Sequence, residues 1–211
     1  MSHIKEIQDE EKYNFKIITL GESGFGKTSI IKRYIYALFE EDIMSTIGIN
    51  FAFREITLKD KTKVTLKLID TAGQEKYSAL SKSYFKNADA VLYVFSLDII
   101  GSYEKIKEWK NVFRENRQDG IIPSFLIRNK CDLDANGEDF NEEIVEDLMQ
   151  KENFLRFISV SAKDNNNIEE LFTDIAEICY KKYSNIKIKR IKILKDDLEI
   201  KKKKKKKMRP L

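Results

Sequence analysis

An eight-residue pattern set between a strand and a helix constrains this chain more than any other feature. Phe15–Leu20 is a short apolar run of the kind a buried strand presents, and Gly21-Glu-Ser-Gly-Phe-Gly-Lys-Thr28 follows it directly. From Lys27 to Phe39, Ile30, Ile31, Tyr34, Ile35 and Leu38 recur at helical spacing. The pattern is GxxxxGK[ST] in its strand–loop–helix setting. Glycines let successive backbone N–H groups turn inward around phosphate oxygens, and the helix start adds its positive end to the same anion. Lys27 brings a point charge to the β- and γ-phosphates, and the Thr28 hydroxyl is placed for Mg²⁺. Gly21, Ser23, Gly24, Phe25, Gly26 and Ser29 complete the candidate cradle. Such a loop takes a nucleoside triphosphate. It does not choose the base or the reaction, since kinases and ATPases share it.

The rest of the chain alternates strand and helix signals. Phe51–Leu58 and Val64–Ile69 are strand-like runs joined by a polar turn, a hairpin pattern. Ala90–Phe95, Ser124–Arg128 and Phe157–Val160 are further strands. Tyr103, Ile106, Trp109 and Phe113 mark one helix face, as do Ile144, Val145, Leu148 and Met149. Ile168, Leu171, Phe172, Ile175, Ile178 and Cys179 mark the last. The expectation is one α/β domain over 13–183: a mostly parallel six-stranded sheet, one antiparallel hairpin strand, and helices on both faces. A polar leader, 1–12, precedes it and a basic tail, 184–211, follows. The net charge of +4 conceals this division. Residues 181–211 hold 15 Lys and Arg against three acids, so that end carries +12 and the remainder −8.

Three further motifs resemble those of the Ras-superfamily small GTPases. They are Asp70-Thr-Ala-Gly-Gln-Glu75, Asn129-Lys-Cys-Asp132 and Ser161-Ala-Lys163, each at the carboxyl end of a strand signal, where open α/β sheets bind ligands. The resemblance spans about Tyr13 to Tyr183 and implies a GTP/GDP switch that hydrolyses GTP. It implies that Asp132 accepts from the guanine N1–H and amine, a donor pair adenine lacks. Asn129 would hold the base loop, Lys130 would lie along the purine, and the Ala162 N–H would meet the guanine oxygen, flanked by Ser161 and Lys163. Phe39 matches an aromatic ring set against guanine; a plain core role at the helix end stays open for it. Thr46 matches the threonine that binds Mg²⁺ beside a γ-phosphate, so Thr28, Thr46 and Asp70 form the expected Mg²⁺ set. Gly73 would bind the γ-phosphate, and Gln74 would orient the attacking water. No arginine stands out as a finger, so the expected intrinsic rate is slow, on the order of 10⁻⁴ to 10⁻³ s⁻¹ by analogy with Ras.

Ile47-Gly48-Ile-Asn-Phe51, Gln74–Leu80 and Ser83–Ala88 look most like the Rab branch, which directs vesicle traffic. That implies effectors read from Ile47, Gly48, Phe51, Ile69 and Tyr84, together with an exchange factor, an activating protein and a monomeric chain. Ile69 stands where the branch usually has Trp, and Arg128 where Gly is common and a larger residue at the strand end is expected to be tolerated. No cysteine follows Cys179, so the usual prenyl anchor is not expected. The Lys201–Lys207 run leaves three readings open: a solvated chain, a helix on an anionic membrane built on Ile191, Leu194 and Leu198, or a nuclear or RNA-contacting patch. Nucleic acid is not the expected partner. A non-hydrolysing guanine-nucleotide scaffold, a small GTPase outside membrane traffic, and a phosphate-loop ATPase or kinase are the rival functions.

Several features are set aside. Asp132–Glu143 fits an EF-hand loop letter for letter, but it leaves a strand rather than a helix, and Asp139 fills a usually apolar position. His3 is the only histidine and lies in the leader. Two cysteines, Cys131 and Cys179, and no apolar signal core at the start point to a reducing, cytoplasmic setting, peripheral to membranes at most. Trp109 is expected in the core.

Overall fold

The computed structural model describes residues 13–40, 50–71, 83–96, 98–99, 101–117, 120–133 and 142–207, with backbone alone at 103 and 189–207. The strands are β1 (Tyr13–Leu20), β2 (Asn50–Thr57), β3 (Lys63–Asp70), β4 (Ala90–Ser96), β5 (Ser124–Asn129) and β6 (Arg156–Ser159). Between them lie α1 (Lys27–Tyr36), α2 (Ser102–Glu115) and α3 (Glu142–Lys151), and α4 (Ile168–Lys207) follows β6. The strands form one sheet in the order β2-β3-β1-β4-β5-β6. Only β2 runs antiparallel to its neighbour, β3; β1, β3, β4, β5 and β6 pair in parallel. This is the α/β fold the alternation of signals implies.

The continuous apolar runs become the middle of the sheet because parallel strands are covered on both faces. Ile17, Ile18 and Leu20 of β1, every residue of β4 from Ala90 to Phe95, and Phe125–Ile127 of β5 are buried. The chain leaves β1 towards β3 and leaves β4 towards β5 and β6. Right-handed crossovers in opposite directions place α1 on one face and α2 and α3 on the other. α4 returns to the α1 face, where Phe172 stacks on Tyr34 with ring centroids 4.0 Å apart. Arg54 of β2 clips this edge together: it pairs with Glu169 through both Nη atoms, donates to the Tyr34 carbonyl and lies over the Tyr34 ring.

α1 is shorter than its apolar spacing predicts. Ala37 takes a left-handed φ of 55° and donates its N–H to the Arg33 carbonyl, closing the helix at Tyr36. Leu38 therefore leaves the apolar stripe and is 57% exposed. Ile144 likewise stands exposed on α3, which buries Val145 and Leu148. At the other end of the chain, α4 runs through Tyr183 without a break, 40 residues in one helix. At 1.5 Å per residue the part beyond Tyr183 spans about 36 Å.

Candidate nucleotide site

The two strands whose connections depart in opposite directions, β1 and β4, open a crevice at their carboxyl ends. The phosphate loop fills its rim. A Cβ on Gly21 would stand 2.3 Å from the Val94 carbonyl oxygen of β4, so only glycine lets the loop leave β1 this close to its neighbour. Phe25 is buried and pins the loop from below. Gly26, at φ 81°, caps α1. Lys27 is buried, and its ammonium donates to the carbonyls of Gly21 (2.8 Å) and Glu22 (3.0 Å), which draws it across the mouth of the loop. The Thr28 hydroxyl donates to Asp70 Oδ2 at 2.7 Å, joining the first turn of α1 to the end of β3. Thr71 next to it donates to the Thr19 carbonyl and locks β3 against β1. Ser23 and Gly24 face outward and Ser29 is half-buried. An ammonium, a hydroxyl and a carboxylate thus meet at one end of the sheet.

A second cluster adjoins it through one side chain. Asn129 ends β5 and is buried; its Nδ2 donates to the Phe25 carbonyl at 3.0 Å, while its Oδ1 accepts the Ala162 N–H at 3.3 Å. It is the tie between the phosphate loop and the loop after β6. Lys130 holds a left-handed φ of 61° and its ammonium lies 2.6 Å from Asp98 Oδ2. Burial raises the Asp98 carboxyl, but the hydrogen bonds from Lys130 and Ser96 outweigh it and hold the group below the usual carboxylate range. Asp132 sits in a 3-10 turn, Cys131–Leu133, and accepts from the Ser161 hydroxyl at 2.6 Å. Ser161 and Ala162 are buried and Lys163 is exposed. Burial pushes the Cys131 thiol up, in keeping with an inert packing role.

Phe39 is half-buried against the core, with the Arg33 guanidinium 5.8 Å from its ring. Thr46, Ile47, Gly48, Gly73 and Gln74 lie outside the described residues, as do positions 134–141 of the EF-hand-like stretch. On the outer sheet face, Phe51 is exposed with its ring 5.8 Å from that of Tyr84. Ile69 does not join them. Its side chain is fully buried, and its ladder neighbours are Ile18 of β1 and Phe51 of β2. Arg128 is accommodated, its Nε donating to Ser159 Oγ at 3.0 Å across the β5–β6 pair. Three contacts escaped the sequence. Trp109 is in the core, yet its indole N–H donates to Glu22 of the phosphate loop at 3.1 Å. Asp98 holds Lys130, and Arg33 holds the loop after β6. None has a local sequence signal.

The geometry accords with the comparisons. The Ras family model matches residues 16–181. The chain belongs to the Ras family. Among its relatives it is similar to dog Ras-related protein Rab-13, 33% identical over 77% of this chain and 78% of that one. Human Ras-related protein Rab-32 is 34% identical over 77% and 73%, and Caenorhabditis elegans Ras-related protein rab-11.1 is 35% identical over 84% and 82%. This Ras-family chain is therefore a Rab-like small GTPase that binds GTP and GDP and hydrolyses GTP.

Proposed function

We propose that this protein is a GTP/GDP switch of membrane traffic, holding Mg²⁺-GTP in the crevice at β1 and β4 and resetting by slow hydrolysis. The observation that carries the reading is the Asn129 tie, which puts a phosphate cradle and a base-reading loop within one side chain of each other. Lys27, positioned by two loop carbonyls, meets the β- and γ-phosphates. Asp132, oriented by Ser161, accepts from the guanine N1–H and amine, and the Lys130 stem lies along the purine face, steadied by Asp98. The Thr28–Asp70 pair offers hard oxygen ligands, the donor set Mg²⁺ takes. When bound, Mg²⁺ neutralises charge on the phosphate oxygens. Thr46 joins that set only beside a γ-phosphate, and the Gly73 N–H binds the same group. Gln74 orients the water that attacks the γ-phosphorus as the bond to the bridging oxygen breaks.

Loss of the γ-phosphate removes the group that Thr46 and Gly73 contact, so the two nucleotide states present different surfaces to effectors. Phe51 and Tyr84, with rings 5.8 Å apart, form part of that surface, and an exchange factor and an activating protein drive the cycle. The basic end of α4 serves as an electrostatic contact with anionic membranes, each near-surface lysine contributing about 1 kcal/mol. No helix among the described residues is long and apolar enough to cross a membrane.

Single-turnover hydrolysis of bound GTP tests the switch. Gln74→Leu should slow it at least about 10-fold, with GDP affinity unchanged; an unchanged rate supports a scaffold that signals by binding alone. Flotation on anionic vesicles tests the membrane contact. The full chain should float at low salt and more weakly, yet measurably, at physiological salt, and replacement of Lys201–Lys207 by Gln should abolish it. Flotation indifferent to those lysines overturns the membrane reading.

A further inference from the structure

The base-reading loop is held from behind by a side chain on α1. The Arg33 guanidinium donates from Nε to the Ala162 carbonyl (2.7 Å), from Nη2 to the Lys163 carbonyl (2.8 Å) and from Nη1 to the Ala37 carbonyl (2.9 Å). Two of these acceptors lie about 130 residues away in sequence, on the loop after β6; the third is the carbonyl at the end of α1. One planar fork therefore fixes two successive peptides of the loop against the helix that follows the phosphate cradle.

The grip extends to the carboxylate that chooses the base. A peptide group is planar, and its C=O and N–H point in opposite directions. The peptide whose carbonyl Arg33 holds at Lys163 carries the N–H of Asp164, and that N–H donates to Ser161 Oγ at 3.0 Å. The Ser161 hydroxyl in turn donates to Asp132 Oδ1 at 2.6 Å. Arg33, the 163–164 peptide, Ser161 and Asp132 form one continuous chain of hydrogen bonds. Ala162 itself is held on both sides, its carbonyl by Arg33 and its N–H, which belongs to the preceding peptide, by Asn129. The same guanidinium lies 5.8 Å from the Phe39 ring, at the outer range of a cation–π contact.

We propose that Arg33 is a positioning residue for base recognition: it aims Asp132 and the Ala162 peptide at the guanine edge and so sets both the dwell time of the nucleotide and its discrimination against bases that lack the 2-amino group. The proposal rests on Asp132 reading guanine. Lysine is a poor substitute, because the role needs a rigid fork with donors in three directions rather than a point charge.

The test compares dissociation of GDP and IDP, since inosine lacks the amine that Asp132 accepts. The full chain and its Arg33→Ala and Arg33→Lys variants are loaded with each nucleotide, and off-rates are followed by displacement with excess unlabelled GDP. Wild type should release IDP much faster than GDP. Arg33→Ala should release GDP about 10- to 100-fold faster and IDP faster by a clearly smaller factor, because inosine keeps the N1–H and the oxygen, so the ratio falls, and Arg33→Lys should not restore it. A role confined to capping α1 with positive charge would raise both off-rates by one factor and would be rescued by lysine; either result overturns the proposal. If Arg33→Ala does not fold, Arg33→Lys alone decides: a lowered ratio supports the proposal and a wild-type ratio refutes it. A wild-type protein that releases GDP and IDP equally refutes the base assignment itself and the role of Arg33 with it.

Discussion

Gly26→Ala probes the joint between the two halves of the site. Gly26 sits at φ 81°, where an L side chain costs about 1–2 kcal/mol. A Cβ there would lie 2.2 Å from Asn129 Nδ2, so the Asn129 amide must move. It would surrender its bond to the Phe25 carbonyl and its bond from the Ala162 N–H, and it is buried. Stranding a buried amide costs about 1–3 kcal/mol. The total, roughly 2–5 kcal/mol, divides between melting temperature and nucleotide affinity. If half falls on binding, GDP affinity drops by a factor of about 5 to 60 at 1.4 kcal/mol per tenfold. Gly120→Ala is the internal control. Gly120 has φ 79° with no heavy atom within 4 Å of a built Cβ, so it carries the backbone strain without the collision. It should lower the melting temperature by about 2–8 °C and leave GDP dissociation within about twofold of wild type. The assay is release of a fluorescent GDP, read beside thermal melts. If both variants lower stability equally and neither speeds GDP release, Asn129 is not the joint and the reasoning fails.

Other perturbations follow from the same geometry. Trp109→Phe keeps most of the packing but removes the indole N–H that meets Glu22, so GDP release should quicken about 3- to 10-fold; an unchanged rate would make Trp109 purely a core residue. As the only tryptophan, Trp109 should also report nucleotide exchange by its intrinsic fluorescence, and a silent emission on GDP-to-GTP exchange would contradict its link to the phosphate loop. Burial pulls the Lys110 ammonium down to about 8, although it lies over the Phe154 ring and donates to the Glu152 carbonyl. Because the folded value is depressed from 10.5, the associated stability is present above that pH and is lost as pH falls through about 8. Relative to wild type, Lys110→Met should therefore stabilise more at pH 7 than at pH 9; a difference that does not vary with pH would refute this.

The parts of the fold legible in the sequence are those governed by local rules. β4 is an unbroken apolar run because it is covered on both faces, and the run Ala90–Phe95 falls one residue short of the observed strand, Ala90–Ser96. The phosphate loop is legible because glycine, lysine and threonine at fixed spacing have few other uses. What escaped depends on partners far along the chain. α1 stops at Tyr36 because Ala37 turns left-handed and Arg33 anchors its carbonyl, which no apolar periodicity reports. Ile69 reads as a surface residue by its place before Asp70, yet its side chain is fully buried, with Ile18 and Phe51 as its ladder neighbours. Trp109 reads as core by its spacing, and it is; its polar edge reaches Glu22, 87 residues away. The Arg33 fork is of the same kind, a single charged residue whose acceptors are backbone carbonyls with no sequence signature.

The central claim, that this chain selects guanine through Asp132 while gripping phosphate through Lys27, is tested most directly by competition. The protein is loaded with fluorescent GDP, and unlabelled GTP or ATP is titrated in the presence of Mg²⁺. GTP should displace the probe at concentrations comparable to GDP, whereas ATP should need at least about 10³-fold more, because a site built to pair with the guanine amine and N1–H leaves its acceptors stranded against adenine. Displacement by ATP at the same concentrations as GTP would contradict the account.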